Sequence, residues 1–167
     1  VSTRRRTACR FPTPGLPIEG TIPLEGLPSD AVIADGGVWI AGAFGDLIRV
    51  DERTGETDTR RIGGKLVSLA ATEDRLWVVD SDGLVVVFDL QTRRVLQSIP
   101  IGGRPVDVAV GSSGVWIADQ RGERLVRIDE TTLERTSFAL AGPPAAIAID
   151  EDRGVIWVRT AGTGTPA

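Results

Sequence analysis

The sequence predicts an all-β fold built from one unit that recurs about every 39 residues. Four segments resemble one another: DAVIADGGVWIAG from Asp30, SLAATEDRLWVVD from Ser68, DVAVGSSGVWIAD from Asp107 and AAIAIDEDRGVIWVR from Ala145. Each holds one tryptophan at an equivalent place, and 20 glycines and 10 prolines suit many short strands and turns. Repeats of this length with strand-like content are typical of the blades of a β-propeller.

The third repeat shows the elements of the unit in order. Its short apolar strands are VDVAV (106–110), VWIAD (115–119), RLVRID (124–129) and RTSFAL (135–140), joined by GSSG, QRGE and ETTLE. Four antiparallel strands joined by short turns form one blade. The second repeat has the same pattern.

The first three strands of a unit are nearly continuous in apolar residues, which indicates sheets covered on both faces by stacking. The fourth strand differs because polar side chains lie on or beside it. This pattern fits an outer edge strand that charge protects from pairing with other chains. The polar residues are Arg60, Arg61, Arg93, Arg94, Gln97 and Arg135.

We expect residues 1–17 to form a tail or linker, because RFPTPGLP has three prolines in eight residues and no apolar period. Propeller repeats should occupy 18–160, and 161–167 should be a second tail. The expected blades are about 27–66, 67–105 and 106–144, with a partial blade at 145–160. The chain begins at Val1, which indicates either a GTG start or, as we favour, a piece of a longer chain.

Three full blades cannot close a ring, so two arrangements are open. If residues 18–24 paired with the strands of 145–159, a fourth blade would exist with one strand missing. The alternative is an open arc. One blade face covers roughly 300 Å², and leaving it in water forgoes about 8 kcal/mol as an upper bound. We therefore expect an isolated arc to self-associate and complete a propeller, or to be half of a longer one.

Composition excludes several functions. The chain has no His, Tyr, Asn or Met and a single cysteine, Cys9. It therefore lacks an imidazole base, a Ser-His-Asp triad, a His-ligated or Cys-cluster metal site and an internal disulfide. A net charge of −4 argues against nucleic-acid binding. No stretch approaches the ~18 apolar residues of a membrane span, and no apolar signal segment follows Arg4–Arg6. We predict no cofactor, no metal and no catalytic residue.

Three polar residues begin the inner strands: Asp30, Ser68 and Asp107, with Ala146 in the fourth place. In a propeller this point lies near the mouth of the axial channel. Two carboxylates and a hydroxyl there could hold a cation or a polar ligand. Hydrogen bonding to loops of neighbouring blades is the alternative.

A second candidate surface is formed by two sets of loops that should face one end of the propeller. Lys65 and Arg104 occupy equivalent positions just before inner strands, with Pro143 in the next unit. The loops between second and third strands carry Asp80, Ser81 and Asp82 in one unit and Asp119, Gln120 and Arg121 in the next. Together they form a mixed polar surface of a kind used for partner recognition; solvated loops without a partner are the alternative.

Two further repeated features have structural interpretations that we prefer. The tryptophans occupy one blade position, which indicates packing between blades and not an aromatic ligand platform. Asp51, Asp89 and Asp129 each end a third strand before a tight turn. We expect these carboxylates to accept bonds from the following backbone amides and not to form a calcium ring.

The recurring pattern G-x-P-x-D-V-A-V-x-x-x-G-V-W-I-A-D followed by R-I-D resembles the YVTN-type bacterial propeller repeat and the streptogramin (virginiamycin B) lyase-like propellers. The third unit carries it most fully, at Gly103, Pro105, Asp107, Val108, Ala109, Gly114, Val115, Trp116, Ala118, Asp119, Arg127, Ile128 and Asp129. The resemblance covers about 18–160. It implies a binding or scaffold domain, often extracytoplasmic. Lyase members use a catalytic histidine and a divalent metal, and this chain departs from them because it has no histidine.

The function that these observations favour is a non-catalytic propeller module that recognises a protein or a small ligand at the loop face around the axis. One alternative is a fragment of a lyase-like enzyme whose catalytic blades lie outside this chain. Another is the sensor domain of a membrane-anchored kinase or regulator.

Overall fold

In the computed structural model, strands and turns account for the described chain, which comprises residues 6–9, as backbone only, and residues 21–160. Within these residues there are no helices, and the antiparallel sheets follow one another in sequence order. The strands are β1 Arg6–Cys9, β2 Thr21–Leu24, β3 Pro28–Ala34, β4 Gly37–Gly42, β5 Asp46–Asp51, β6 Thr57–Arg61, β7 Leu66–Ala71, β8 Arg75–Asp80, β9 Leu84–Asp89, β10 Arg94–Pro100, β11 Pro105–Gly111, β12 Gly114–Asp119, β13 Arg124–Ile128, β14 Arg135–Ala139, β15 Pro144–Asp150 and β16 Val155–Thr160.

Three complete four-stranded sheets form the centre of the fold: β3–β6, β7–β10 and β11–β14. We call them the first, second and third blades. In each, every strand pairs with the next strand in the chain. The inner strands β3, β7, β11 and β15 are neighbours in space, each in contact with the next. The sheets therefore stack face to face as the blades of a propeller-like fold, which confirms the predicted fold class.

Apolar clusters fill the spaces between successive sheets. Trp39 packs against Phe88 of the second blade, with ring centroids 5.4 Å apart in an edge-to-face arrangement. Trp77 lies in the cluster between the second and third blades, and Trp116 in the one beyond the third. These three indoles are at most 9% exposed. They pack between blades, as their repetition predicted, and each contributes about 2–4 kcal/mol of burial.

The outer strands are polar and exposed. All of β14 and most of β6 and β10 are accessible to solvent, whereas β8 and β12 are almost wholly buried. The edge of each complete blade is therefore the charged strand that the sequence indicates. An arginine on the outer edge can also link two blades: Arg60 Nη1 donates to the carbonyl of Arg93 at 2.8 Å.

The sheets do not close into a ring. Strands β15 and β16 form a two-stranded sheet, and β2 pairs with β1 instead of with this sheet. The conditional fourth blade, in which 18–24 would pair with 145–159, is therefore not formed. Trp157 departs from the predicted packing between blades: it is 61% exposed, because no further sheet of the described residues covers its face. Of the expected tail at 1–17, the structure describes only β1; residues 18–20 and the expected tail at 161–167 lie outside the described residues.

Candidate functional site

The predicted row of inner-strand residues is brought together by the stacking of the blades. The Ser68 hydroxyl lies 2.8 Å from Asp30 Oδ2 and 2.9 Å from Asp107 Oδ1. Ser68 is buried, and the two aspartates are half-buried. Because a hydroxyl has one proton, it donates to one carboxylate at a time. We call Asp30, Ser68 and Asp107 the inner row.

The carboxylates of the inner row are occupied by backbone amides of the adjoining blade. Asp30 Oδ2 accepts from Leu69 N at 3.0 Å, and Asp107 Oδ2 accepts from Ile147 N at 2.8 Å. Each bond joins one inner strand to the next. The geometry therefore ties neighbouring blades together through their inner strands, and not through the loops that the alternative named.

A β-bulge precedes each of these positions and directs its side chain. The strand register shifts between Pro28 and Asp30, and between the equivalent pairs Leu66/Ser68, Pro105/Asp107 and Pro144/Ala146. A bulge inserts one extra residue and re-aims the side chain that follows. Sequence reasoning missed the bulges. It also missed Ser29, which is the extra residue of the bulge in β3. The Ser29 hydroxyl lies 3.0 Å from the Ala41 carbonyl and 2.9 Å from the Leu66 carbonyl.

Asp80 and Asp119 lie at the end of the fold where the two predicted loop sets meet, but both are buried. Asp119 Oδ1 accepts from the amides of Arg104 at 2.8 Å and Gly122 at 3.0 Å, and Oδ2 accepts from Arg124 Nε at 2.8 Å. Asp80 Oδ1 accepts in a similar way from the amides of Asp82 and Leu84. These carboxylates hold the loop backbone in place.

The pKa of Asp119 reflects this environment. Burial alone would raise it, but the amides of Arg104 and Gly122 and the Arg124 guanidinium outweigh burial and lower the pKa below its ordinary value. The folded environment therefore favours the charged form of this carboxylate.

Four of the other predicted loop residues are exposed, whereas Ser81, Gln120 and Pro143 are half-buried. The exposed residues are Lys65, Asp82, Arg104 and Arg121. Two backbone bonds bring the loop sets together, from Ser81 N to the Lys65 carbonyl and from Gln120 N to the Arg104 carbonyl, both 2.9 Å. We call the surface formed by these four exposed side chains the loop face. Among the contacts made within residues 21–160, one side chain restrains this surface: Arg104 Nη1 lies 3.1 Å from Gln120 Oε1.

The aspartates that end the third strands have the turn role predicted for them. Asp51 Oδ1 accepts from the amides of Arg53 and Thr54, and Asp129 Oδ1 accepts from those of Thr131 and Thr132. The Thr54 and Arg53 amides, followed by the Arg49 side chain, lower the pKa of Asp51 to about 2. No group of three or more acidic, His or Cys side chains within 21–160 is arranged to hold a metal ion.

A groove lies beside β2, at a place that no sequence signal marked. Its volume is about 670 Å³, and its walls include Leu24 of β2, Phe44 and Ile48 of the first blade and Thr57 and Thr59 of β6. The groove occupies the space between the β2 strand and the outer part of the first blade.

Comparison with known proteins supports the fold alone. No family model and no curated protein matches the chain. It is similar to hydrazine synthase of Kuenenia stuttgartiensis, with TM-score 0.77 and 17% identity over 83% of this chain and 43% of that one. It is also similar to the computationally designed Ika8 protein, with TM-score 0.66 and 14% identity over 80% of this chain and 46% of the other. The match thus spans less than half the length of either protein. The fold places this chain in the class of β-propeller-like repeat proteins.

No helix among residues 21–160 has the length and apolarity needed to cross a membrane.

Proposed function

We propose that this chain is a non-catalytic binding module that recognises a protein or a small polar ligand at the loop face. The supporting observation is how the repeat symmetry is broken there. The loop backbone repeats from blade to blade, since the Ser81–Lys65 and Gln120–Arg104 bonds are equivalent. The exposed side chains on this repeated backbone differ.

The differences concern charge. Lys65 and Arg104 are equivalent, but the loops beside them present Asp82 in the second blade and Arg121 in the third, and all four are exposed. A rigid repeat that displays different exposed groups on one face is a common basis for selective binding. The buried Asp80 and Asp119 supply the rigidity, because they fix the loop backbone from below.

Two further points favour binding over catalysis. The sequence has no histidine, and the inner-row carboxylates are already bonded to amides of the neighbouring blade. The resemblance to YVTN-type propellers, which commonly act as binding or scaffold domains, agrees with this proposal, and nucleic acid is a poor partner for a chain of net charge −4.

The test compares two variants with the same loss of charge. The loop-face variant carries Lys65→Ser, Arg104→Ser and Arg121→Ser. The control carries Arg53→Ser, Arg94→Ser and Arg153→Ser. These arginines are exposed on or beside the turns at the opposite end of the strands. Proteins and small molecules retained by the immobilised wild-type chain are identified, purified and titrated calorimetrically against all three proteins.

We expect affinity to fall at least about tenfold in the loop-face variant and to be unchanged in the control. Each lost exposed contact accounts for a fraction of the total loss of binding free energy. Equal affinity of the two variants for every ligand would contradict the assignment of this face. Substrate turnover that disappears in Asp30→Asn or Asp107→Asn would contradict the non-catalytic role.

A further inference from the structure

The two ends of the described fold are complementary half-blades. In every complete blade the third and fourth strands precede the inner strand of the next blade in the chain. Strands β1 and β2 precede β3 in this way, so they correspond to a third and a fourth strand. Strands β15 and β16 follow β14 and correspond to a first and a second strand. We call β1–β2 the leading half-blade and β15–β16 the trailing half-blade.

Side-chain contacts support this assignment for β2. Leu24 of β2 is buried against Ile40, Ile48 and Val50 of the first blade, with Ile22 beside it. The equivalent residues after β9, Ile99 and Ile101, are buried in the cluster that contains Ile117, Val126 and Ile128 of the third blade. The β2 strand therefore lies against the first blade as β10 lies against the third.

The surfaces left uncovered are those that a first and a second strand would cover. Ile33 of the inner strand β3 is 71% exposed, whereas its equivalent Val110 is partly buried against the cluster containing Trp77. At the other end, Trp157 is 61% exposed and Val155 is 40% exposed. Trp77 shows the environment of such an indole when a blade follows it: it is buried in one apolar cluster with Val108, Val115 and Ile117 of the next blade.

We propose that a second copy of this chain joins the two ends: β16 of one copy pairs antiparallel with β1 of the other, and the two half-blades form one composite four-stranded blade. Trp157 then packs on the exposed Ile33 of the partner, as Trp77 packs in the cluster shared with the third blade. The junction is repeated by the two-fold axis. The result is a closed ring of eight blades, three complete ones from each copy and two composite ones.

Three observations favour a second copy over closure within one chain. The ends of one chain do not pair, because β2 pairs with β1 and β15 with β16. The match covers only 43% and 46% of two solved chains of similar fold, so each of those chains is about twice the length of this one. Two junctions, each burying about 300 Å² on either side, total about 1,200 Å², which reaches the range of stable interfaces. A head-to-tail contact of this kind closes when the rotation permits.

The first measurement is the solution mass of the chain by light scattering at micromolar concentration. We expect about 35 kDa, twice the 17.7 kDa of one chain. Trp157→Asp and Ile33→Asp should each weaken association by about 30-fold or more, because each places a charge in the junction. The matched control is Leu96→Asp, on the outer strand β10 and 53% exposed, which should leave association unchanged. Circular dichroism verifies that each variant is folded.

Mixing the two junction variants tests the head-to-tail geometry. A Trp157→Asp copy retains an intact Ile33 end, and an Ile33→Asp copy retains an intact Trp157 end. A mixture can therefore form one intact junction, which buries about 600 Å². We expect the mixture to associate measurably more tightly than either variant alone and less tightly than the wild type. A monomeric wild-type chain, a dimer insensitive to both substitutions, or a mixture that associates no more tightly than the separate variants would each overturn the proposal. The outcome is independent of the loop-face proposal, because none of the substituted residues belongs to that face.

Discussion

Replacing Asp119 with alanine tests whether buried carboxylates hold the loop face in place. The carboxylate is inaccessible to solvent and accepts three bonds, from the amides of Arg104 and Gly122 and from the Arg124 guanidinium. In Asp119→Ala all three donors lose their acceptor. Unlike a surface aspartate, Asp119 therefore should contribute strongly to the stability of the fold.

The magnitude follows from the individual bonds. Each of the two amide bonds contributes about 1 kcal/mol. We assign a further 1 kcal/mol or so to the contact with Arg124, because the Arg124 side chain is 33% exposed and can regain water. The free energy of unfolding should therefore fall by about 3 kcal/mol, and the melting temperature should fall by about 6–12 °C in a chain of this size.

Urea denaturation followed by circular dichroism measures the change, with Asp82→Ala as control. Asp82 is exposed in the equivalent loop of the second blade, and its carboxylate accepts no hydrogen bond from the residues of 21–160. We expect Asp82→Ala to lie within about 0.5 kcal/mol of the wild type. A loss below 1 kcal/mol in Asp119→Ala would refute the assignment of a supporting role to this carboxylate.

The difference in stability between the wild type and Asp119→Ala should depend on pH. The pKa of Asp119 is lower in the folded than in the unfolded protein, so the unfolded chain binds the proton first as the pH falls. The stability due to Asp119 is therefore present above the unfolded pKa of about 4 and is lost as the pH falls through the folded pKa. The difference in unfolding free energy between wild type and Asp119→Ala should narrow below about pH 4. A constant difference would contradict this reasoning.

Three further predictions concern single sites. Gly103→Ala should destabilise the protein by at least 1 kcal/mol more than Gly102→Ala in urea denaturation, because both residues have positive φ but only at Gly103 would a methyl group overlap the Asp119 carboxylate. Equal losses of stability in the two variants would contradict this. Trp77→Phe should lower the free energy of unfolding by about 1 kcal/mol less than Trp39→Phe, because the buried Trp77 Nε1 has no hydrogen-bond partner in the described residues whereas Trp39 Nε1 donates to a carbonyl. A larger loss of stability in Trp77→Phe would be inconsistent with an unsatisfied donor. By carboxyl-carbon NMR Asp51 should titrate near pH 2, and a midpoint near 4 would show that its turn amides do not stabilise the charge.

Local sequence patterns were sufficient to predict the blades. Apolar runs separated by Gly-rich turns, with a tryptophan once per unit, correspond to the observed four-stranded sheets. The polar fourth strands are the exposed outer strands. The D-x-x-T turns bond as expected because an aspartate and the amides that follow it are close in the chain. All of these features depend on short-range geometry.

The environment of each candidate site residue could not be obtained from the sequence. Asp80 and Asp82 are two positions apart in the same loop, yet one is buried and the other is exposed. The inner row is also a long-range feature, since Ser68 meets Asp30 and Asp107 across two blade boundaries. Its orientation depends on bulges, which no residue type signals by itself.

The sequence alone determined that the chain forms repeated four-stranded sheets, because strand and turn formation depend on neighbouring residues. Only the tertiary structure decided which polar groups are buried, which tryptophan is left uncovered and how the ends of the chain are arranged. Those outcomes depend on how whole sheets stack, and stacking brings together residues that are about 39 positions or more apart.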